Sequence, residues 1–588
     1  MTKPNVIVVG GGLAGLACAM KLAEKEITVK LFSVVPVKRS HSVCAQGGIN
    51  GAVNTRGEGD SVEEHFDDTI YGGDFLANQE LPRLMCNAAP EVIYMFDRMG
   101  VMFNRTAEGL LDFRRFGGTK HHRTAFAGAT TGQQLLYALD EQVRRYETMH
   151  LVEKFETWEF VSAVLDADKV CRGIVAQNLA TMEQQVFKAD AVLFATGGPG
   201  LVFGKSTNSV TCTGYAMSQL YQQGADYANG EFIQIHPTAI PGADKLRLMS
   251  ESARGEGGRV WVPRDGKPWY FLEEWYPAYG NLVPRDVASR AIHKVVYDLK
   301  LGVDGKPMVY LDLSHKPAEF LDRKLGGIIE IYEKFVGEDP RKVPMKIFPG
   351  VHYSMGGIWI DDNHMTTLPG VFAAGECDYQ YHGANRLGAN SLVSCVFGGM
   401  YAAEKIIQYC NGLTKHCDQV DEVYFKDEFR KQEESYQDYI DMSGPENAHV
   451  LHTELGEIMT ENVTIVRVND KLKHTLNKIN EFKDRFQRIS VNDKGGWSNQ
   501  EVVFARQLHH MLELADLMTK GALMRDESRG AHFKPDFQER NDDKFLKTTI
   551  AKWSKSGSQI SYQDVNTKHI KPRPRRYDVD KTTDKKAS

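Results

Sequence analysis

Gly10, Gly12 and Gly15 form a GxGxxG turn between the apolar run NVIVV and the segment LAGLACAMKLA. Glycines at these places allow a tight turn, close approach of a pyrophosphate and close packing of helix on strand. The N-terminus of the helix then favours the anion. The acid that usually ends the second strand of such a unit is replaced by Ser33, whose hydroxyl can still bond a ribose hydroxyl. The polar stretch KRSHSVCAQGG follows, with His41 at its centre and Lys38 and Arg39 before it. Gln46, Gly47 and Gly48 supply a turn able to pack against a flat ring. Further on, Glu251 and Arg254 stand three apart, a spacing that puts both on one face of a helical turn.

Strand, helix and strand over residues 5–33 predict the opening βαβ unit of a doubly wound α/β fold. AVLFATGG (191–198) and GVFAAGE (370–376) read as further parallel strands whose C-terminal ends carry ligand contacts. A nucleotide-binding domain over 1–240 with a return segment at 345–415 is therefore expected, interrupted by an insertion at 241–344. Charged amphipathic segments over 420–540 predict a helical domain. Residues 541–588 read as a polar tail, solvated or extended on a neighbour.

With 588 residues, 42% hydrophobic and 25% charged, the chain can bury a large core over several domain-sized units. A net charge of −6 offers no electrostatic case for binding nucleic acid. The nine cysteines contain no CxxC, which points to reduced thiols, no bound metal and no iron–sulfur cluster within this chain. The first apolar run reads as a strand rather than a secretion signal. No apolar run reaches the ~18 residues of a membrane span, so membrane contact is expected only through a partner.

RSHSVCAQGG (39–48), HPT (236–238), SESARGEGG (250–258), PRD (284–286), HYSMGG (352–357), GECDYQYHGANRLGANSL (375–392) and SRGAH (528–532) occur in this order. Together they resemble the flavoprotein subunits of succinate dehydrogenases and fumarate reductases. The resemblance implies a discontinuous Rossmann-like FAD-binding domain with an inserted capping domain, then a C-terminal helical domain and tail. It implies FAD bonded covalently through its 8α-methyl group to His41, with Ser40 beside it. Glu376 would bond the ribose, and Ser391 and Leu392 would contact the isoalloxazine through their backbone. His236, Ser250, His352 and Arg386 would bind a dicarboxylate, Phe116 would pack beside its reacting carbon–carbon bond, and Arg285 would transfer the proton through Glu251 and Arg254. An arginine acting as a base is chemically demanding, since its free pKa lies above ~12.

Two departures from the family pattern stand out. Ala253 replaces a cysteine that most members carry, which predicts weak sensitivity to thiol reagents at the active site. Tyr215 stands where some members have an aspartate reaching FAD, and it cannot replace that acceptor. Neutral Gln46 favours succinate oxidation over dedicated fumarate reduction, in which a glutamate is often found there. L-Aspartate oxidase, which holds FAD noncovalently, is the alternative that His41 opposes. A non-enzymatic nucleotide-binding scaffold would need none of the charged residues. The resemblance further implies an iron–sulfur partner subunit and a membrane anchor, with the chain held peripherally at the cytoplasmic face of the membrane. The helical region and Arg573, Arg575 and Arg576 are the expected docking elements for that partner.

Overall fold

The computed structural model describes residues 4–242 and 245–578. Its centre is a five-stranded parallel sheet in the order Val371–Ala373, Ala191–Phe194, Asn5–Val9, Thr28–Ser33, Val152–Glu156. The strands are short and apolar because both faces are covered, as a parallel sheet requires. Leu13–Glu24 lies over one face and packs against the long helix Asn390–Asn411. Gly399 makes that approach possible, since a Cβ there would stand 2.1 Å from Ala14 O. The antiparallel sheet Trp158–Leu165, Cys171–Asn178 and Gln184–Lys188 lies nearby, with Phe32, Phe155 and Phe187 in ring contact.

The strands Arg247–Leu248, Arg259–Arg264, Lys267–Trp269 and Val309–Asp312, all within the segment 245–344, belong to a six-stranded antiparallel sheet. Two adjacent strands of it, Ile233–Ile240 and Met345–Ser354, flank that segment in sequence. The chain thus enters and leaves the cap through paired strands that also carry His236 and His352. Their ladder shifts register after Gln234 and again after His236, where Pro237 has no N–H to donate.

Helices Glu422–Asp441, Ala448–Asn462, Asn469–Phe486 and Gln500–Met524 form the helical region. Buried Arg525 joins this region to the rest through Glu231, Glu527 and two backbone carbonyls.

Among the described residues the tail is packed along the chain itself, and two of its three arginines are engaged internally rather than presented to a partner. Lys547–Lys552 and Gln559–Asp564 form a hairpin that extends a sheet with Tyr227–Ala228. Arg573 then donates to both oxygens of Asp67, and Arg575 to both oxygens of Asp286. Tyr577 is buried between Tyr71 and Tyr279. These basic residues meet carboxylates hundreds of positions away, so a local reading of charge could not find their partners. Arg576 alone of the three has a half-exposed side chain, paired with Asp578. Residues 579–588 of the expected tail lie outside the described residues. Among the described residues no helix is long and apolar enough to cross a membrane, and no group of three or more metal-capable side chains could hold an ion. The nine cysteines are unpaired.

Candidate active site

The glycine turn joins Asn5–Val9 to the first helix. Gly10 has φ +118°, and a Cβ on it would lie 2.1 Å from Ala195 O. Gly15 supports the turn from behind, where a Cβ would meet Gly10 O at 1.9 Å. Gly12 precedes the helix, and Ser42 Oγ accepts from the N–H of Leu13 at 3.3 Å. These residues open onto a cavity of about 150 Å³, also lined by Ser33, Ser40, His41 and Glu376. A second cavity of about 360 Å³ continues from it, sharing His41, Ser42, Glu376 and Cys395. An elongated group entering at the helix N-terminus would therefore run past His41 into the second chamber.

His41 occupies a short turn after Ser40, against the start of the helix Thr131–Thr148. The N–H of Ser209 donates to His41 Nδ1 at 3.1 Å, and Asn208 Nδ2 lies 3.3 Å from Nε2. Burial, with the charge of Lys245, pushes the imidazole down to about 4, so it is neutral near pH 7. Gly47 and Gly48 follow, and a Cβ on Gly47 would strike the Phe116 ring at 2.7 Å. Gly48 has φ +136° and packs against Ala125 O. Gln46 Oε1 is buried without a partner, a vacancy suited to a donor on a bound group. Glu376 accepts from the N–H of Ser354 at 3.0 Å, and burial pushes its carboxyl up to about 7. Ser391 and Leu392 sit in the first turn of Asn390–Asn411 and line the second cavity, where the helix N-terminus favours negative charge.

The second chamber also receives Phe116, His236, Ser250, Glu251, Arg285, His352 and Arg386. Arg285 opens the helix Arg285–His293 just after Pro284, a favoured way to start a helix. Arg285 Nε donates to Glu251 Oε2 at 2.7 Å and Nη1 to Gln234 Oε1 at 2.9 Å. The N–H of Gly117 donates to Glu251 Oε1 at 2.7 Å, while Arg254 Nη2 lies 3.1 Å from that oxygen as an ion pair. Arg254 itself stands behind the wall, donating to Asn281 O at 2.7 Å. Burial pushes the Glu251 carboxyl up, but Arg285, Arg254 and the two hydrogen bonds outweigh it and hold it below the ordinary range.

The two histidines face each other edge to face, with ring centroids 5.0 Å apart. Burial first, then Arg285 and Arg386, hold both imidazoles well below their usual pKa. Thr238 satisfies His236 Nδ1, leaving the buried Nε2 without a partner. Arg386 stacks over Tyr353 at 4.3 Å, and its buried Nε also lacks a partner. Burial, with the Arg285 charge, lowers its guanidinium to about 9. Ser250 Oγ lies 2.9 Å from Ser252 Oγ.

Several contributors were not singled out in the sequence. Thr207 Oγ1 lies 2.6 Å from His352 Nδ1, so the polar run STNS at 206–209 holds both His41 and His352. Gln234, two residues before His236, fixes Arg285. A dense polar run after the GG turn was the available signal for the first; nothing local marked the second. Tyr215 lines the first cavity with its hydroxyl donated to Val161 O at 2.9 Å, so it presents a ring rather than an acceptor. Other thiols border the cleft although Ala253 is not one: Cys395 both chambers, Cys212 the first and exposed Cys44 the second. Burial raises Cys395 and Cys212, the latter to about 12, which keeps those two protonated and unreactive.

Comparison with known proteins agrees with this geometry. The FAD binding domain family matches residues 5–392, and the fumarate reductase flavoprotein C-terminal family matches residues 452–577. The chain is 66% identical over 579 residues to the succinate dehydrogenase flavoprotein subunit of Bacillus subtilis (strain 168), covering 98% of this chain and 99% of that one. It is 34% identical to the fumarate reductase flavoprotein subunit of Escherichia coli (strain K12), covering 98% and 96%. Superposition on the E. coli quinol fumarate reductase FrdA chain gives a TM-score of 0.92 at 32% identity, covering 98% and 99%. Mycobacterium smegmatis Sdh1 gives 0.83 at 29% identity, covering 98% and 96%. The chain belongs to the flavoprotein subunit family of succinate dehydrogenases and fumarate reductases, and its larger part is an FAD-binding domain.

Proposed function

We propose that this chain oxidises succinate to fumarate, reversibly, as the flavoprotein subunit of a succinate:quinone oxidoreductase. The observation that carries this reading is the buried Arg285–Glu251–Arg254 chain, which ends at a cavity bordered by Arg386, His236 and His352. At neutral pH the three guanidiniums and one carboxylate leave two positive charges, matching a dicarboxylate dianion. Arg386 and the unpartnered His236 Nε2 supply donors for one carboxylate, with Ser250 and His352 toward the other. Phe116 closes the chamber beside the Gly47 turn and excludes water from the reacting carbons.

FAD, when bound, supplies the two-electron acceptor for a hydride from the substrate. Arg285 first gives its Nε proton to Glu251 Oε2, 2.7 Å away, and the neutral side chain so formed takes the substrate proton at Nη. The proton on Glu251 is then lost to solvent, and Arg254, itself charged throughout, favours the return of the carboxylate. The fumarate-reducing direction uses the same groups in reverse. His41 is suited to tether FAD through Nε2, because a ring bonded there keeps its lone pair on Nδ1, where the Ser209 N–H already donates.

Two electrons collected here must leave singly for a quinone, and this chain carries no cluster motif, so an iron–sulfur subunit and a membrane anchor complete the path. We place the chain peripherally at the cytoplasmic face of the membrane, held by those partners. The neutral Gln46 and the strong likeness to a succinate dehydrogenase subunit favour succinate oxidation as the working direction. Succinate-dependent dye reduction by the purified complex tests the reading. Turnover absent from a complex fully loaded with FAD would overturn it.

A further inference from the structure

Asn50 follows the Gly47-Gly48 turn by two residues, lines neither cavity and is wholly buried. Its Nδ2 donates to Gly388 O at 2.8 Å and to Asn390 Oδ1 at 2.7 Å. Thr124 Oγ1 donates to its Oδ1 at 2.6 Å, and its own N–H donates to Ala389 O at 3.3 Å. Asn390 Nδ2 donates to Thr69 Oγ1 at 2.9 Å, which identifies Asn390 Oδ1 as the acceptor. His65 Nε2, 3.0 Å from that oxygen, is therefore the protonated nitrogen of its ring. Burial, then the charge of Arg123, pushes His65 down to about 3, so the ring stays neutral.

This knot surrounds an unusual corner. Ala389 has φ +62°, a left-handed conformation disfavoured for any residue with a Cβ. It caps Asn390–Asn411, whose first turn carries Ser391 and Leu392 into the second chamber. One side chain thus spans two walls: the turn against Phe116 and the corner that aims a 22-residue helix.

We propose that Asn50 is a positioning residue of the FAD site, joining the Gly47-Gly48 turn to the Gly388–Asn390 corner so that the helix N-terminus stays aimed into the chamber. The inference rests on the FAD reading above and deepens it. A helix N-terminus favours added negative charge, so its aim favours the two-electron-reduced cofactor. Without the Asn50 amide, Gly388 O loses its side-chain donor, Asn390 Oδ1 keeps only His65, Thr124 loses its acceptor, and Ala389 is free to relax.

The test is a redox titration of the purified complex carrying wild-type, Asn50→Ala, Asn50→Asp or Thr124→Val chains. Asn50→Ala should lower the ratio of reduced to oxidised cofactor at fixed potential about tenfold, equivalent to about 30 mV for a two-electron couple. Asn50→Asp keeps the acceptor but loses both donors and should shift in the same direction. Thr124→Val removes only the bond that orients the amide and should give a smaller shift of the same sign. A complex with normal FAD content, lowered thermal stability and an unchanged potential would mean a merely structural amide and overturn the proposal. If Asn50→Ala does not fold, an unchanged potential in Thr124→Val overturns it. Wild-type complex without FAD would instead refute the underlying FAD reading.

Discussion

Arg575 grips Asp286 with two hydrogen bonds, Nη1 to Oδ2 at 2.6 Å and Nη2 to Oδ1 at 3.0 Å, and Asp286 is the chain neighbour of Arg285. A residue near the end of the described chain thus anchors the first turn of the helix that presents Arg285, the arginine proposed to transfer the proton. The same segment holds Asp67 through Arg573, so the tail ties the cap to the nucleotide domain.

Arg575→Ala should leave Asp286 buried with only the longer Arg290 ion pair at 3.4 Å, at a cost of about 3 kcal/mol. The folded pKa of Asp286 is depressed: burial raises it, but Arg575 and Arg290 outweigh that. The stability this contributes is present above the unfolded value of ~3.9 and lost as pH falls through the folded value. In the variant, burial acts unopposed by Arg575, so the penalty should be greatest at neutral pH and shrink on acidification. Melting temperatures measured across pH for both chains check this, and parallel curves would refute it.

His41→Ser should abolish the band that fluoresces under ultraviolet light after denaturing electrophoresis in acid, while FAD is retained noncovalently. Losing the imidazole substituent should lower the flavin potential, and each ~30 mV is worth about 1.4 kcal/mol. Succinate oxidation should therefore fall much further than fumarate reduction. A wild-type band that stays dark despite full FAD loading would exclude the covalent tether.

Arg285→Ala should reduce turnover in both directions by about 10²–10⁴-fold, the range for a positioned proton-transfer group, with FAD content unchanged. Comparing kcat in both directions with flavin absorbance separates chemistry from loading. Substantial turnover in a fully loaded variant would remove Arg285 from the proton path.

Glu376 gives a second pH signature. Burial raises its folded pKa to about 7, so the FAD-free chain is most stable below the unfolded value of ~4.3 and loses stability as pH rises through 7. The full swing is roughly 4 kcal/mol at ~1.4 kcal/mol per unit, of which about 3 kcal/mol falls between pH 5 and 8. Glu376→Gln should flatten it. Urea unfolding of FAD-depleted His41→Ser chains, with and without the second substitution, at pH 5 and 8 measures the difference.

The βαβ opening, the three strands ending in small residues and the helical region were legible in the sequence because their signals are local, whereas most charged residues of the site were pointed to only by the family resemblance. Periodicity marks an element, glycine spacing marks a turn, and Glu251 with Arg254 share one short helical turn. The cap sheet was less legible, since two of its adjacent strands lie on either side of the inserted segment and pair only after the chain returns. The tail was misread for the same reason: the carboxylates that neutralise Arg573 and Arg575 lie 506 and 289 positions away.

By itself the sequence determined which chemical groups this protein can bring to a flavin and a dicarboxylate, because residue type sets charge, donor capacity and conformational freedom. Tertiary structure alone decided their pairing and strength. It placed Glu251 between Arg285 and Arg254, left His236 Nε2 and Arg386 Nε without partners, and set Asn50 between two walls of one chamber. Those outcomes depend on burial and on contacts across hundreds of residues, where removal of water makes each charge and unmet hydrogen bond weigh most.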